Sequence, residues 1–201
     1  IMQPAHLKGL KIRVMQNPIF VEMVNSMGGN GTPVAFDVQN EPRRLAELVA
    51  AHDIAVSLLP WQFHPQVARA CLNVGKHMVT TSYVKEEMQA LDAEAKEKGI
   101  ILFNELGVDP GIDHMSAMQM IDRIREEGST LKAFESSTGG LVAPGFENNP
   151  WQYKFTWNPR NVVLAGREGA RFLHNGKFKY IPYHKVFSRH ETIRVPDLGE
   201  F

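Results

Sequence analysis

The chain has 201 residues, of which 43% are hydrophobic and 22% charged, enough for one large packed domain or two small ones. Its 22 basic and 22 acidic residues cancel, which argues against a nucleic-acid or membrane-surface partner recruited by bulk charge. No apolar run approaches the roughly 20 residues of a membrane span, no secretory leader pattern is recognisable, and the single cysteine excludes an intrachain disulfide and fits a reducing, cytoplasmic compartment.

Residues 11–15 read as a strand and residues 33–38 as a better one. Gly28-Gly29-Asn30-Gly31 precedes that second strand and reads as a loop. Residues 41–52 have Leu45, Leu48 and Val49 on one helical face. Residues 53–59 form a near-continuous apolar run, the pattern of a strand buried on both faces, and Pro60 ends it. A short helix over 65–73 turns Val67, Ala70 and Cys71 inward, which makes Cys71 a small core residue. Residues 77–81 read as the next strand, 85–98 as one charged amphipathic helix stopped by Gly99, and 100–104 as a further buried strand.

Strand and helix alternating at this spacing imply βαβ units and a parallel sheet, so the fold class is α/β with a partial Rossmann-like sheet. Crossovers between parallel strands are right-handed, which lines up the strand ends along one edge. Three turns then share one crevice: Leu59-Pro60-Trp61, Thr81-Ser82-Tyr83 and Gly107-Val108-Asp109. Ligands of open α/β sheets bind at such strand ends. The run from Glu105 to His114 is the most informative segment, a strand ending in a carboxylate-bearing turn that opens a helix with Met115, Met118, Ile121 and Ile124 on one face. Asp109 suits the cap of that helix and Pro110 its first turn. The same residues suit a plain capped helix after a glycine turn, and local pattern leaves both readings open.

Past that helix the pattern becomes α+β. Residues 131–138 alternate like a half-exposed strand, and Trp151, Tyr153, Phe155 and Trp157 form a ladder at a spacing of two. Asn175-Gly176 between two alternating runs signals a type I′ hairpin. His64, His77, His114, His184 and His190 stand at no metal-ligand spacing with a second ligand, so no metal is expected. Asp113 and His114 are adjacent in a helix and are expected to point apart. No strand–Gly-x-Gly-x-x-Gly–helix motif is present, and no ribose-reading residue is recognisable, which leaves NAD against NADP open.

Several separated motifs share an order with one family: Val56-Ser57-Leu58-Leu59-Pro60, Phe63-His64-Pro65, Val79-Thr80-Thr81-Ser82-Tyr83, the run 105–114, Gly139-Gly140-Leu141, Asn149-Pro150 and Tyr153-Lys154-Phe155-Thr156-Trp157. Together they resemble saccharopine dehydrogenase of the glutamate-forming type, also called saccharopine reductase, from about Pro33 to the C-terminus. The resemblance implies a dinucleotide-binding domain over 1–114, its first βα unit missing or divergent, and the N-terminal part of an α+β catalytic domain over 115–201. It implies an NAD(P)-dependent dehydrogenase acting on CH–NH bonds in lysine metabolism. The reaction interconverts saccharopine with 2-aminoadipate semialdehyde plus glutamate by hydride transfer at an imine carbon.

By that resemblance Asp37 and Val38 meet the adenosine half of the cofactor, and Leu59 and Thr81 line the same groove. Ser82 and Tyr83 meet both nicotinamide and saccharopine. Val108, Asp109 and Pro110 lie between cofactor and substrate, Asp109 reaches the substrate, and Asn158 is another cofactor contact. Asp109 and Tyr83 take the catalytic roles, one stabilising positive charge beside the imine and the other relaying a proton. The chain departs from the family at the missing glycine-rich turn and at Thr138, which stands where a cysteine is expected. A substrate-carboxylate arginine is expected beyond Phe201. A non-catalytic relic or fragment of the family, and a related imine reductase such as a carboxynorspermidine-forming enzyme, are the competing readings. An incomplete sheet edge invites pairing into a homodimer.

Overall fold

The computed structural model describes residues 7, 8, 10–14, 18–140, 142, 143, 145–151, 153, 154, 160, 164, 166, 167, 169–188, 190–195, 199 and 200. Two compact units divide the chain, Ile1–Thr138 and Gly139–Phe201.

In the first unit, β1 (Lys11–Val14) and β2 (Asn30–Pro33) pair in parallel, Lys11 opposite Asn30, with α1 (Pro18–Ser26) between them in the chain. The glycines before and within β2 serve this packing. A Cβ on Gly29 would stand 2.9 Å from Val24 Cγ1, and one on Gly31 would stand 3.2 Å from Val21 Cα. The second strand therefore runs over 30–33 and not over the expected 33–38. Pro33 has no N–H to extend the ladder. Asp37 then turns the chain by accepting the N–H of Gln39 at 2.9 Å and that of Asn40 at 3.4 Å, an Asx turn that leads into α2 (Pro42–Ala50).

β3 (Ile54–Ser57), β4 (His77–Thr80) and β5 (Leu102–Phe103) form a separate parallel sheet in the order β3-β4-β5. Ile54 stands opposite His77, and Val79 opposite Phe103. A 3-10 turn (Trp61–Phe63) and α3 (His64–Val74) connect β3 to β4, while α4 (Glu86–Gln89) and α5 (Asp92–Lys98) connect β4 to β5. The single helix expected over 85–98 is broken because the N–H of Leu91 bonds the carbonyl of Met88, three residues back, which tightens the chain there.

Both crossovers step the same way across the sheet, so right-handedness puts their helices on one face. The core collects there: Leu45 and Val49 from α2, Val67, Ala68, Cys71 and Leu72 from α3, Met78 from β4, and Met88, Leu91 and Ala95 from the second crossover. Burial holds the Cys71 thiol neutral, pushing its pKa up to about 11. The other face of β3 is open, with Ile54 49% and Val56 60% exposed, so this strand is buried on one face only. An apolar run reads alike in either case. Burying a medium apolar side chain contributes about 1.5–3 kcal/mol, so most of this unit's apolar stabilisation comes from the covered face.

After β5 the chain enters α6 (Ile112–Glu126), none of whose described residues is buried. Residues 129–140 form no strand, against the expectation for 131–138, and among the described residues no strand pairs with them to satisfy their backbone groups.

In the second unit β6 (Ala170–His174) and β7 (Lys177–Ile181) form the expected antiparallel hairpin, with Arg171 opposite Tyr180. Asn175 at φ 50 and Gly176 at φ 72 supply the two left-handed positions of its type I′ turn. α7 (Tyr183–Val186), β8 (Arg194–Val195) and β9 (Gly199–Glu200) follow. The aromatic ladder is not a strand where it is described. Trp151 lies in a turn capped by Asn149, whose Oδ1 accepts the Trp151 N–H at 3.0 Å. Phe155 and Trp157 lie outside the described residues.

Candidate active site

Because β3, β4 and β5 are parallel, their C-terminal ends fall on one edge of the sheet. The three turns expected to meet there are joined by direct contacts. Lys85 Nζ lies 5.8 Å from the centroid of the Trp61 ring, a cation–π contact between the turn after β3 and the one after β4. Glu105 and Leu106 donate their N–H groups to the carbonyls of Ser82 and Thr80, each at 3.0 Å. The Val84 N–H returns the contact to Glu105 Oε1 at 3.1 Å. Glu105 itself sits at φ 61, an uncommon region for a side-chain-bearing residue, and these bonds on both sides of it hold it there.

The turn after β5 closes on itself. The Gly107 N–H bonds the Pro110 carbonyl at 2.9 Å, and the Ile112 N–H bonds the Gly107 carbonyl at 3.0 Å. Gly111 has φ 149, and a Cβ there would lie 2.3 Å from Gly107 O, so only glycine fits. The loop is pressed on the end of β4, where a Cβ on Gly107 would meet Thr81 Cβ at 3.2 Å.

Asp109 does not cap α6. The helix begins after Gly111, and the carboxylate that takes a backbone N–H there belongs to Asp113, whose Oδ1 accepts from Gly111 at 3.0 Å. Asp109 is left to face Tyr83, whose hydroxyl donates to Asp109 Oδ1 at 3.0 Å. Burial, then the bond to Asp109, then the charges of Asp109, Asp113 and Glu105 all push the Tyr83 phenol above its ordinary value. Asp113 and His114 do not point apart as expected. Oδ1 of Asp113, reaching back over the helix start, also meets His114 Nδ1 at 2.7 Å. That contact raises the His114 pKa. Partial burial works against the Asp113 carboxylate, but the bonds from His114 and Gly111 hold it below its usual range.

Leu59, Thr81, Ser82, Tyr83, Val108, Asp109 and Pro110 thus gather on the strand-end edge. Tyr83, Val108 and Asp109 are exposed, Pro110 is buried, and the Leu59 side chain packs against the core. Asp37 and Val38 stand at the head of α2. The Asp37 carboxylate is held low by the side chain of Asn40 and the N–H of Gln39, Val38 is a core residue, and its carbonyl accepts from Gln66 Nε2 at 2.6 Å. Asn158 lies outside the described residues. Among the described residues no three histidines, cysteines or acids gather as metal ligands, and no helix is long and apolar enough to cross a membrane. Composition and spacing did not single out His64, which is buried under Ser82 with both ring nitrogens bonded. The signal was available only as a histidine followed by proline at a strand end.

Three family models match the chain. The saccharopine dehydrogenase NADP binding domain matches residues 20–103, and the saccharopine dehydrogenase C-terminal domain matches residues 107–201. The bacterial extracellular solute-binding protein, family 7, matches residues 1–37. The saccharopine dehydrogenase (NADP(+), L-glutamate-forming) of Schizosaccharomyces pombe is 45% identical over 148 residues, covering 74% of this chain and 33% of that protein. The mitochondrial alpha-aminoadipic semialdehyde synthase of Bos taurus is 41% identical over 148 residues, 74% of this chain and 16% of that protein. An apo, histidine-tagged saccharopine dehydrogenase (L-Glu forming) from Saccharomyces cerevisiae has a similar structure, with a TM-score of 0.76 at 30% identity, covering 93% of this chain and 41% of that one. The chain therefore spans about a third of the length of the fungal relative and less of the animal one. Two of the models together run through most of the sequence, one holding Tyr83 and the other Asp109 of the bonded pair, and the chain belongs to the saccharopine dehydrogenase family.

Proposed function

We propose that this chain carries the nicotinamide and imine side of an NADP-dependent oxidoreductase that acts on the CH–NH bond of saccharopine. Residues 1–114 would be the dinucleotide-binding part and 115–201 the start of the catalytic part. The observation that carries the reading is the Tyr83–Asp109 hydrogen bond at the ends of β4 and β5. Support for NADP comes from the name of the S. pombe relative and from the family model over 20–103.

The residues at the strand ends fit the nicotinamide end of such a cofactor, with the hydroxyls of Ser82 and Tyr83, the Asp109 carboxylate and the apolar Leu59 and Val108 along one edge. When bound, the nicotinamide would accept the hydride from the CH–NH carbon of saccharopine, or return it to the imine carbon in the reverse direction. Asp109 offers negative charge to the protonated imine nitrogen. The Tyr83 hydroxyl, already bonded to that carboxylate, holds a proton at the same place. His114, whose pKa is raised by the bond to Asp113, keeps its proton to higher pH than a free imidazole beside this acidic turn.

One observation favours a second reading, a non-catalytic module of the same family. The glycine-rich segment 28–31 follows the C-terminal end of α1 and leads into β2, with Gly29 and Gly31 packed against α1, so it is not at a helix N-terminus that could cradle a pyrophosphate. Titration with NADPH, followed by an assay of saccharopine turnover with NADP(+) as the oxidant, separates the two. Saturable binding with turnover supports the oxidoreductase, and neither supports the module.

A further inference from the structure

Beneath the Ser82–Tyr83 turn one imidazole ties together three hydroxyls. His64 opens α3 and is 1% exposed. Its Nδ1 lies 2.8 Å from Ser57 Oγ at the end of β3. Its Nε2 lies 2.8 Å from Ser82 Oγ and 3.2 Å from Thr80 Oγ1 at the end of β4. The sheet register sets Ser57 directly opposite Thr80, so the ring bridges two neighbouring strand ends. The network continues into the backbone, where the Ser82 N–H reaches Thr80 Oγ1 at 3.3 Å.

Ser57 and Thr80 are buried to within 3% of full burial, and only Ser82 carries the network toward the surface. A buried polar ring is tolerated when both nitrogens are bonded, and an apolar side chain would fill the same space without that requirement. The ring is therefore poorly accounted for as filler. Burial favours the uncharged imidazole. A neutral imidazole has one donor nitrogen and one acceptor nitrogen. When Nε2 accepts, the Ser82 hydrogen points down into the ring and the turn presents a lone pair. When Nε2 donates, Ser82 is free to offer its hydrogen outward.

We propose that His64 is the positioning residue of this site: through Nε2 it sets the rotamer of Ser82, and so which of its hydroxyl's two polarities faces a bound ligand. The ligand half of this proposal rests on the nicotinamide-dependent function proposed above, and the Ser82 half does not.

The test compares two amide variants of the full chain. In His64→Gln the side-chain amide reaches the place of Nε2, and in His64→Asn it reaches only that of Nδ1. The readouts are the Ser82 backbone amide resonance and the NADPH dissociation constant from nicotinamide fluorescence. His64→Gln is expected to keep the Ser82 resonance and to hold NADPH affinity within about twofold, whereas His64→Asn shifts the resonance and weakens NADPH about tenfold. Equal behaviour of the two variants in both readouts overturns the proposal, because a merely structural histidine has no reason to separate them. If the unaltered chain fails to bind NADPH, the functional reading falls and the Ser82 resonance alone decides the positioning role. Should neither variant fold, Ser82→Ala replaces them, and the nitrogen resonance of His64 Nε2 is expected to move. An unmoved resonance would overturn the proposal.

Discussion

The Tyr83 hydroxyl donates to Asp109 Oδ1 at 3.0 Å, a bond between residues 26 positions apart that exists because β4 and β5 are neighbours in parallel. If Asp109 stabilises charge in the reaction, its loss weighs on turnover and not on cofactor affinity. Asp109→Ala is expected to lower kcat by at least about thirtyfold, about 2 kcal/mol on the barrier, with the NADPH dissociation constant within about threefold. Steady-state kinetics check this. Turnover within about threefold of the unaltered chain, under about 1 kcal/mol, removes Asp109 from the chemistry.

The same pair has a spectroscopic signature. Burial and Asp109 both raise the Tyr83 phenol above 10.0, so this tyrosine ionises later than a free one as pH rises. Asp109→Ala brings its ionisation down part of the way, because the larger effect, burial, stays. Ultraviolet titration, with Tyr83→Phe as the reference that removes the signal of interest, reads the change. An unmoved midpoint in Asp109→Ala means the bond is not made in solution.

Gly111 sets the shape of the turn that carries Asp109. A methyl group at φ 149, 2.3 Å from Gly107 O, forces the loop open. Gly111→Ala is expected to destabilise the chain by more than about 1 kcal/mol. Gly140→Ala, where nothing lies within 4 Å, is expected to stay within about 0.5 kcal/mol. Urea midpoints compare the two, and equal midpoints contradict the packing described for the turn.

The alternation of strand and helix from Ile54 to Phe103 was readable because each element carries its own apolar period. The hairpin was readable because Asn175-Gly176 is a local signal. Other features needed the third dimension. Val34, Phe36 and Val38 alternate like a strand, yet Pro33 and the Asx turn at Asp37 end β2 before them. Ile54, Val56 and Leu58 suggest two covered faces, but handedness sends both crossovers to the opposite side. Asp109 has the residue type of a helix cap, while the backbone at Gly111 hands that task to Asp113. The Ser57–His64–Ser82 network joins residues 7 and 18 positions apart and depends on strand register, which composition does not encode. The missing glycine-rich turn falls within the segment that also matches the solute-binding family.

His64 also gives a dependence on pH with a definite sign. Its pKa is lowered by burial from the ordinary 6.5, so the folded chain binds fewer protons than the unfolded chain in that range. The associated stability is complete above the unfolded value and is lost as pH falls through the folded one. His114 works the other way: its raised pKa contributes stability below 6.5 that is lost as pH rises through the folded value. Subtracting His64→Gln from the unaltered chain isolates the first effect. Urea unfolding between about pH 7.5 and pH 5.5 is expected to show the unaltered chain losing stability more steeply than His64→Gln. Parallel curves would mean that the ring is not held neutral.

The proposed function requires the strand-end edge with Ser82, Tyr83 and Asp109 to receive a nicotinamide cofactor. Titration of the 201-residue chain with NADPH, followed by nicotinamide fluorescence, tests it most directly. Saturable binding in the micromolar range is expected, weakened in His64→Asn. No saturation at millimolar NADPH would contradict it and leave the chain a family member without cofactor function.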